Sequence, residues 1–412
     1  MRYGCIGEHL SHSFSKEVHG LIADYDYCLC ELKKDEVKPF IKSADFIAIN
    51  VTIPYKETVM PYLSEIDEGA GLIGAVNTVL NKNGRLLGFN TDFFGMKALA
   101  DHAGISFGGK KVLILGTGGT SKTAYAVALS EGAKEILKVS RTPSKDSISY
   151  TDVYNFHTDA EIIINTTPVG MFPNIYEKPI ELSKFKRLSG VLDAVYNPLS
   201  TPLVLEAKSM EIAAEGGLYM LVAQGVKASE IFLDTTYDRR LIDETFAKIE
   251  RDKRNIVLIG MPSCGKTTVG RILAKKLKRR FVDTDEIIVA TAKKEISDIF
   301  ATDTEVEFRK LEAKAVKAAS TNTGSVISCG GGVILNPDNM KALSENGRIY
   351  FIDRPIDMLV PTSDRPTAST REKIERIYSE RYSIYKSYAD SVVLSLGTAE
   401  DAANKILADF QI

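Results

Sequence analysis

At 412 residues the chain is long for one compact domain, and at roughly 150 residues per domain it predicts two to four. A net charge of −2 without any long Lys/Arg run excludes the electrostatic footprint of a nucleic-acid or acidic-membrane binder, and no apolar run approaches the about 18 residues of a membrane span. Five cysteines (Cys5, Cys28, Cys30, Cys264, Cys329), odd in number and without zinc spacing, read as reduced thiols, and with no signal-peptide core at Met1–Cys5 they predict a soluble cytoplasmic protein.

Taken in order, Arg2–Ile6, Lys16–Ala23, Tyr27–Leu32, Val37–Ala44 and Phe46–Asn50 alternate strand and helix signals, which predicts a mostly parallel sheet covered by helices. Three polar loops interrupt this rhythm: Ser11–Ser15, Asn50–Lys56, and Gly74–Thr78 leading to Gly88–Asp92. Ligands of open α/β sheets settle at the carboxyl ends of strands, and these loops carry the Ser, Thr, Asn, Asp and Lys needed to hold a polyhydroxylated molecule. Singly, each residue has a bland role as helix cap, turn former or solvated lysine.

Lys111–Leu115 then reads as a strand, Gly116-Thr117-Gly118-Gly119-Thr120 as a tight glycine turn, and Ser121–Glu131 as a helix, which together make a dinucleotide-binding turn. Residues 116–123 almost spell a phosphate loop as well, but Ser121 stands where the second glycine belongs. The next strand, Glu135–Val139, ends in Ser140-Arg141-Thr142-Pro143-Ser144-Lys145. An acid at that strand end would bind a ribose 2′-hydroxyl, whereas Arg141 with Lys145 suits a 2′-phosphate and so NADP. Two further segments, Ile162–Met171 and Val191–Pro198, read as strands ending in proline-stiffened polar loops, and a helix starts after Gly216-Gly217.

Over residues 1–250 the chain resembles shikimate dehydrogenase, through Ser13/Ser15, the N-V-T-x-P-x-K stretch ending at Lys56, Asn77, Asp92, the Gly-x-Gly-Gly turn, Asn165–Pro168, Asp193–Pro198 and Gln224 in order. That family reduces 3-dehydroshikimate to shikimate with NADPH. The resemblance implies Lys56 and Asp92 as the catalytic pair, with substrate contacts from Ser13, Ser15, Thr52, Asn77, Asp92, Tyr196 and Gln224. It also implies NADP contacts from Gly116, Gly118, Gly119, Thr120, Ser140, Arg141, Thr142, Lys145, Ala194 and Gly217. A cation that also donates a proton suits hydride delivery to a carbonyl, because negative charge develops on the oxygen. The family's usual proline is replaced by Lys16 and its usual asparagine by Ser140.

Leu241–Arg254 reads as a charged helix that leads without a flexible tether into the strand Asn255–Ile259, a junction that predicts restricted relative motion. Gly260-Met261-Pro262-Ser263-Cys264-Gly265-Lys266-Thr267 follows and fits G-x-x-x-x-G-K-[ST], with a helix over Val269–Leu277. Strand, loop and helix in register predict a nucleotide phosphate on the backbone N–H groups, with Lys266 on its outer oxygens and Thr267 toward Mg²⁺. Arg280–Asp285 reads as a strand whose two acids, Asp283 and Asp285, project the same way, one for Mg²⁺ and one for a substrate hydroxyl; Asp285 is also a candidate cap for the helix beginning near Glu286. Glu305–Glu312 reads as a charged helix, and Val326–Val333 puts the three glycines Gly330-Gly331-Gly332 at a strand end.

Phosphate loop, D-x-D, F-R-x-x-E, G-G-G, R-P and a late arginine resemble shikimate kinase over residues 254–412. The resemblance implies shikimate contacts from Asp285, Arg309, Gly331 and Arg381, a catalytic role for Lys266, Asp285 and the lid residue Arg365, ATP contacts from Ser263, Cys264, Gly265, Lys266, Thr267 and Thr268, and Mg²⁺ at Thr267 and Asp283. The lid segment 357–369 is short, and Ser383 replaces a usual proline. The expected organisation is thus an α/β chain: a substrate-binding domain (1–92 plus 217–250), a Rossmann-type NADP domain (93–216) and a P-loop kinase domain (254–412) with a parallel sheet. It predicts a two-step enzyme with the cofactors NADP(H), ATP and Mg²⁺ and small-molecule partners, 3-dehydroshikimate and shikimate, but no nucleic acid or membrane. The rivals are a quinate-tolerant dehydrogenase joined to another polyol kinase, and a ligand sensor without turnover. The Arg309–Arg381 pair favours a carboxylate-bearing acceptor, and a sensor has no need of Lys56, Asp92, Lys266 and Asp285.

Overall fold

The computed structural model describes residues 2–11, 13–302, 304–361 and 368–411, and the chain divides into two compact units, Met1–Ile249 and Glu250–Ile412. The first unit holds two sheets. Strands β1 (Tyr3–Gly7), β2 (Tyr27–Glu31), β3 (Ala48–Val51), β4 (Glu65–Ile66), β5 (Thr78–Lys82) and β6 (Arg85–Phe89) make the first, in the order β2-β1-β3-β5-β6-β4. The βαβα rhythm gives parallel β2-β1-β3, as its alternation predicts, but β5 and β6 form an antiparallel hairpin inserted beside β3. The turn is Asn83-Gly84 with φ of 54° and 87°, a two-residue connection whose left-handed backbone matches the strand twist. The mostly parallel expectation therefore holds for three of the five pairings.

The second sheet is wholly parallel, from β7 (Lys111–Leu115), β8 (Glu135–Val139), β9 (Ile162–Asn165), β10 (Gly190–Asp193) and β11 (Ala213–Glu215) in the order β11-β10-β9-β7-β8. Its central strands are continuous apolar runs, Val112–Leu115 and Ile162–Ile164, and are fully buried because helices cover both faces. The helix Leu218–Leu233 packs with Asp92–His102 and Ser15–Ile22, and one core joins Val18, Met96, Val222 and Val226 to Val112 and Ile164.

The second unit carries one parallel sheet of β12 (Asn255–Ile259), β13 (Phe281–Asp283), β14 (Val326–Ser328), β15 (Gly347–Asp353) and β16 (Ser391–Leu394), ordered β13-β14-β12-β15-β16. The central strand β12 is buried throughout, and its carboxyl end feeds the loop 260–265 into the helix Lys266–Leu277. The strand predicted over Arg280–Asp285 is shorter: it stops at Asp283, whose carboxylate caps the next helix by accepting from the Asp285 amide at 3.0 Å. Asp283, not Asp285, is the cap, and Asp285 lies in the first turn of Thr284–Ala292. Among the described residues no helix is long and apolar enough to cross a membrane.

One buried acid in this unit is unpaired. Glu345, on the helix Pro337–Asn346, is fully buried and neither carboxyl oxygen is hydrogen-bonded. Burial pushes its carboxyl from 4.5 to about 8, against the downward pull of Lys341 on its own helix and Lys317 on the helix Glu305–Ser320. A carboxyl with a raised folded pKa contributes stability that is full below its unfolded pKa and lost as pH rises through the folded one. The second unit is therefore expected to lose roughly 3–4 kcal/mol between pH 5 and pH 8, and Glu345→Gln to remove most of that loss. Denaturant titrations of the two chains across this range check it, and parallel pH curves would contradict it.

Candidate active sites

In the first unit the polar loops converge at the carboxyl ends of β1 and β3 and the neighbouring hairpin end. The Lys56 ammonium meets the Asp92 carboxylate at 2.5 Å, with both side chains only 11% and 7% exposed. Asp92 opens the helix Asp92–His102, and its other oxygen accepts from Asn77 Nδ2 at 2.9 Å. The same amide nitrogen reaches Thr91 Oγ1 (3.0 Å) and Gln224 Oε1 (3.4 Å), while Asn77 Oδ1 accepts from the Thr91 backbone N–H at 2.7 Å. Asn77 is thus locked with its nitrogen toward the acid. Beneath it, Asn50 donates to Thr78 Oγ1 and accepts from Tyr27. Neither Thr91 nor Asn50 was singled out from the sequence, although both belong to polar loops that were.

A second group stands on the loop after β1. Ser13 Oγ hydrogen-bonds Ser15 Oγ at 3.0 Å and also the Tyr196 phenol, whose pKa burial raises to about 12. Thr52 follows β3, its N–H donating to the Ile6 carbonyl at 2.9 Å.

The glycine turn leads from β7 into the helix Gly119–Ser130. Gly116 has φ of +114°, and a Cβ there would come within 2.7 Å of Thr166 Oγ1, so the chain is held against the loop after β9. Ser121 Oγ donates to the Gly116 carbonyl at 2.7 Å, which turns that hydroxyl inward and separates this turn from a phosphate loop. A Cβ on Gly119 would lie 3.5 Å from Lys56 Cδ, so the turn faces the lysine stem with room for about one methyl group between them. Gly217 sits against the Ala194 carbonyl so closely that no Cβ fits. Ser140, Arg141, Thr142 and Lys145 follow β8; Ser140 Oγ accepts from the Thr142 N–H at 3.2 Å, and Arg141 and Lys145 are exposed and form no ion pair among the described residues. Gly116, Gly118, Gly119 and Thr120 at a helix N-terminus, with two unpaired cations at the adjacent strand end, fit a dinucleotide bearing an extra phosphate.

In the second unit the loop 260–265 wraps Lys266, whose buried ammonium donates to the carbonyls of Gly260 and Met261, each at 2.9 Å. Ser263 is left-handed (φ 66°), and its hydroxyl is buried with no hydrogen-bond partner, an unfilled polar position beside Cys264, Gly265, Thr267 and Thr268 that fits a phosphate oxygen. Thr267 Oγ1 reaches Asp283 Oδ2 at 3.0 Å. No cluster of three or more His, Cys, Asp or Glu suited to a metal exists among the described residues. One hydroxyl and one carboxylate fit Mg²⁺, which keeps most of its shell from water and nucleotide phosphates.

Beside this loop lies a cavity of about 780 Å³ lined by Asp283, Asp285, Arg309, Glu312, Gly330–Gly332 and Arg381. Arg309 pairs with Glu312 at 2.8 Å and Glu305 at 3.1 Å, and Arg381 donates to the Gly331 carbonyl at 3.2 Å, which also accepts from the Tyr385 hydroxyl. Glu312 is 1% exposed; burial raises its pKa, and its Oε1 has no hydrogen-bond partner. The F-R-x-x-E spacing put it on Arg309's face of the helix, but it was not assigned to the site. Arg365 lies outside the described residues.

A family model for shikimate dehydrogenase substrate binding domain matches residues 5–79, and one for shikimate kinase matches residues 262–411. A shikimate dehydrogenase (NADP(+)) of Clostridium perfringens is 36% identical over 265 residues, covering 60% of this chain and 98% of that protein. The crystal structure of shikimate dehydrogenase 1 from Peptoclostridium difficile superposes with a TM-score of 0.56 at 35% identity, over 60% of this chain and 98% of that one. A chorismate mutase/shikimate 5-dehydrogenase fusion from Clostridium acetobutylicum does so at 0.57 and 35%, over 60% and 96%.

The polar struts of the first unit are open to test. Asp193, fully buried at the end of β10, accepts from Asn165 Nδ2 (2.9 Å), the Val195 N–H (3.0 Å) and Thr201 Oγ1 (2.7 Å). Asp193→Ala strands three buried donors and is expected to cost about 3 kcal/mol of stability; a melting transition of the first unit unchanged from wild type would contradict this.

Proposed function

The chain belongs to the shikimate dehydrogenase family over 60% of its length and carries a shikimate kinase domain after it, a bifunctional enzyme of the shikimate pathway, and from that premise we propose that it runs two consecutive steps. The first reduces 3-dehydroshikimate to shikimate with NADPH, and the second phosphorylates shikimate to shikimate 3-phosphate. Substrate binding is assigned to residues 1–92 with 217–250, NADP to 93–216, and phosphoryl transfer to 254–412. The observation that carries the reading is the buried Lys56–Asp92 contact beside the glycine turn.

NADPH supplies the hydride and Mg-ATP the phosphoryl group. Lys56, oriented by Asp92, faces the carbonyl oxygen of 3-dehydroshikimate, stabilises the charge that develops there and donates the proton. Asn77, Gln224, Thr52, Ser13, Ser15 and Tyr196 hold the ring hydroxyls and carboxylate, with Asn77 keeping Asp92 fixed so that the ammonium stays aimed. Arg141 and Lys145 take the 2′-phosphate. In the second unit Arg309 and Arg381 hold the shikimate carboxylate, Asp285 accepts the proton of the attacking hydroxyl, Thr267 and Asp283 hold Mg²⁺, and Lys266 leaves its backbone carbonyls for the transferring phosphate. Glu312 braces Arg309 from below. For Arg365 the lid role rests on the resemblance alone.

Supplied with 3-dehydroshikimate, NADPH and Mg-ATP, the chain is expected to form shikimate 3-phosphate. Lys56→Ala should lower the dehydrogenase kcat by about 10²–10⁴ and leave phosphorylation of added shikimate intact, whereas Lys266→Met should do the reverse. Absence of NADPH oxidation by the wild-type chain, or one variant abolishing both activities, would refute the reading.

A further inference from the structure

Lys122 stands one turn into the helix Gly119–Ser130, and its side chain crosses to the first sheet's loops. Its ammonium meets the Glu57 carboxylate at 2.8 Å and the Gly74 carbonyl at 3.4 Å. Glu57 is the residue after Lys56, and Gly74 ends the helix Glu68–Ile73 just ahead of Asn77. Three residues before Lys122, Gly119 faces the stem of Lys56 and the methyl of Ala75, with space between them that an added Cβ would just fill at 3.5 Å and 3.7 Å. The glycine turn and the lysine thus face each other across a methyl-sized gap that has little hold of its own, and the charged contact lies alongside it.

We propose that Lys122 and Glu57 are positioning residues: a charge latch that draws the glycine turn onto Lys56, so that a reductant on the turn meets a carbonyl at the lysine. The inference rests on the dehydrogenase reading of the first unit. Burial decides between a permanent strut and a latch. The Lys122 and Glu57 side chains are 32% and 52% exposed, against 11% and 7% for Lys56 and Asp92. A half-exposed pair is weak and salt-sensitive, as suits a cleft that opens to admit and release two ligands. When only the closed form binds productively, the apparent affinity for each ligand falls in proportion to the closed fraction, while saturating ligand restores closure and turnover. The latch therefore acts on KM for both ligands and leaves kcat nearly unchanged.

In the 412-residue chain, Lys122→Met and Glu57→Gln should each raise KM for NADPH and for 3-dehydroshikimate roughly two- to fivefold, with little change in kcat. The Lys122→Glu/Glu57→Lys double variant should recover most of the loss, and Lys122→Arg should behave as wild type. Added NaCl should raise the wild-type KM values by a larger factor than those of Lys122→Met, in which only the screening of Arg141 and Lys145 remains. Shikimate phosphorylation in the same samples serves as the control for protein quality. A rise confined to NADPH that the charge swap does not relieve would make Lys122 a phosphate contact and overturn the latch, as would unchanged KM values. Amide hydrogen exchange at residues 74–76 and 119–122 needs no activity: it should rise in Lys122→Met, and no rise overturns the latch even in a chain that fails to oxidise NADPH.

Discussion

The dehydrogenase half depends on keeping one buried ion pair aimed. Removing Lys56 and Asp92 from water costs more than their attraction returns unless their remaining hydrogen-bonding capacity is met. The surrounding residues meet it: Asn77 occupies the second Asp92 oxygen, and the Thr91 backbone fixes which way round the Asn77 amide sits. Asn77 immediately precedes β5, Thr91 lies just past β6, and Gln224 closes the cluster from a helix far along the chain. The hairpin β5–β6 is therefore part of the geometry that holds this ion pair, since its register brings Asn77 beside Thr91 and Asp92.

The kinase half meets a similar constraint with other residues. A cavity that takes an anionic acid needs arginines at its wall, and arginines without an anion need partners of their own. Glu312, buried behind Arg309, supplies one and keeps the guanidinium in place. Lys266 is held likewise by the carbonyls of its own loop. In both cases the protein itself fixes the cation in place, and a pre-oriented cation carries a lower ordering cost for binding an anion.

Much of this was legible in the sequence because it depends on short local patterns. Apolar runs ending in glycine turns gave the two nucleotide-binding βα units, and Ser121 distinguished the dinucleotide turn from a phosphate loop through one missing glycine. What escaped depends on contacts between distant segments. The hairpin was hidden because its strands lie inside what reads as one polar loop region, although Asn83-Gly84 was a usable turn signal. Asp283 and Asp285 were placed by strand alternation, yet the strand ends at Asp283, whose own carboxylate starts the helix. Asn50, Thr91 and Glu312 matter through hydrogen bonds across 14 to 28 residues or within a helix face, which no single motif encodes.

The central claim is that one hydroxy acid has two separate pockets on one chain. Equilibrium dialysis of labelled shikimate against the 412-residue chain, with NADP⁺ and ADP present, tests it directly. The account predicts two shikimate molecules per chain at saturation, one lost in Asn77→Ala and the other in Arg309→Ala. A single molecule per chain, or both lost together in either variant, would contradict it.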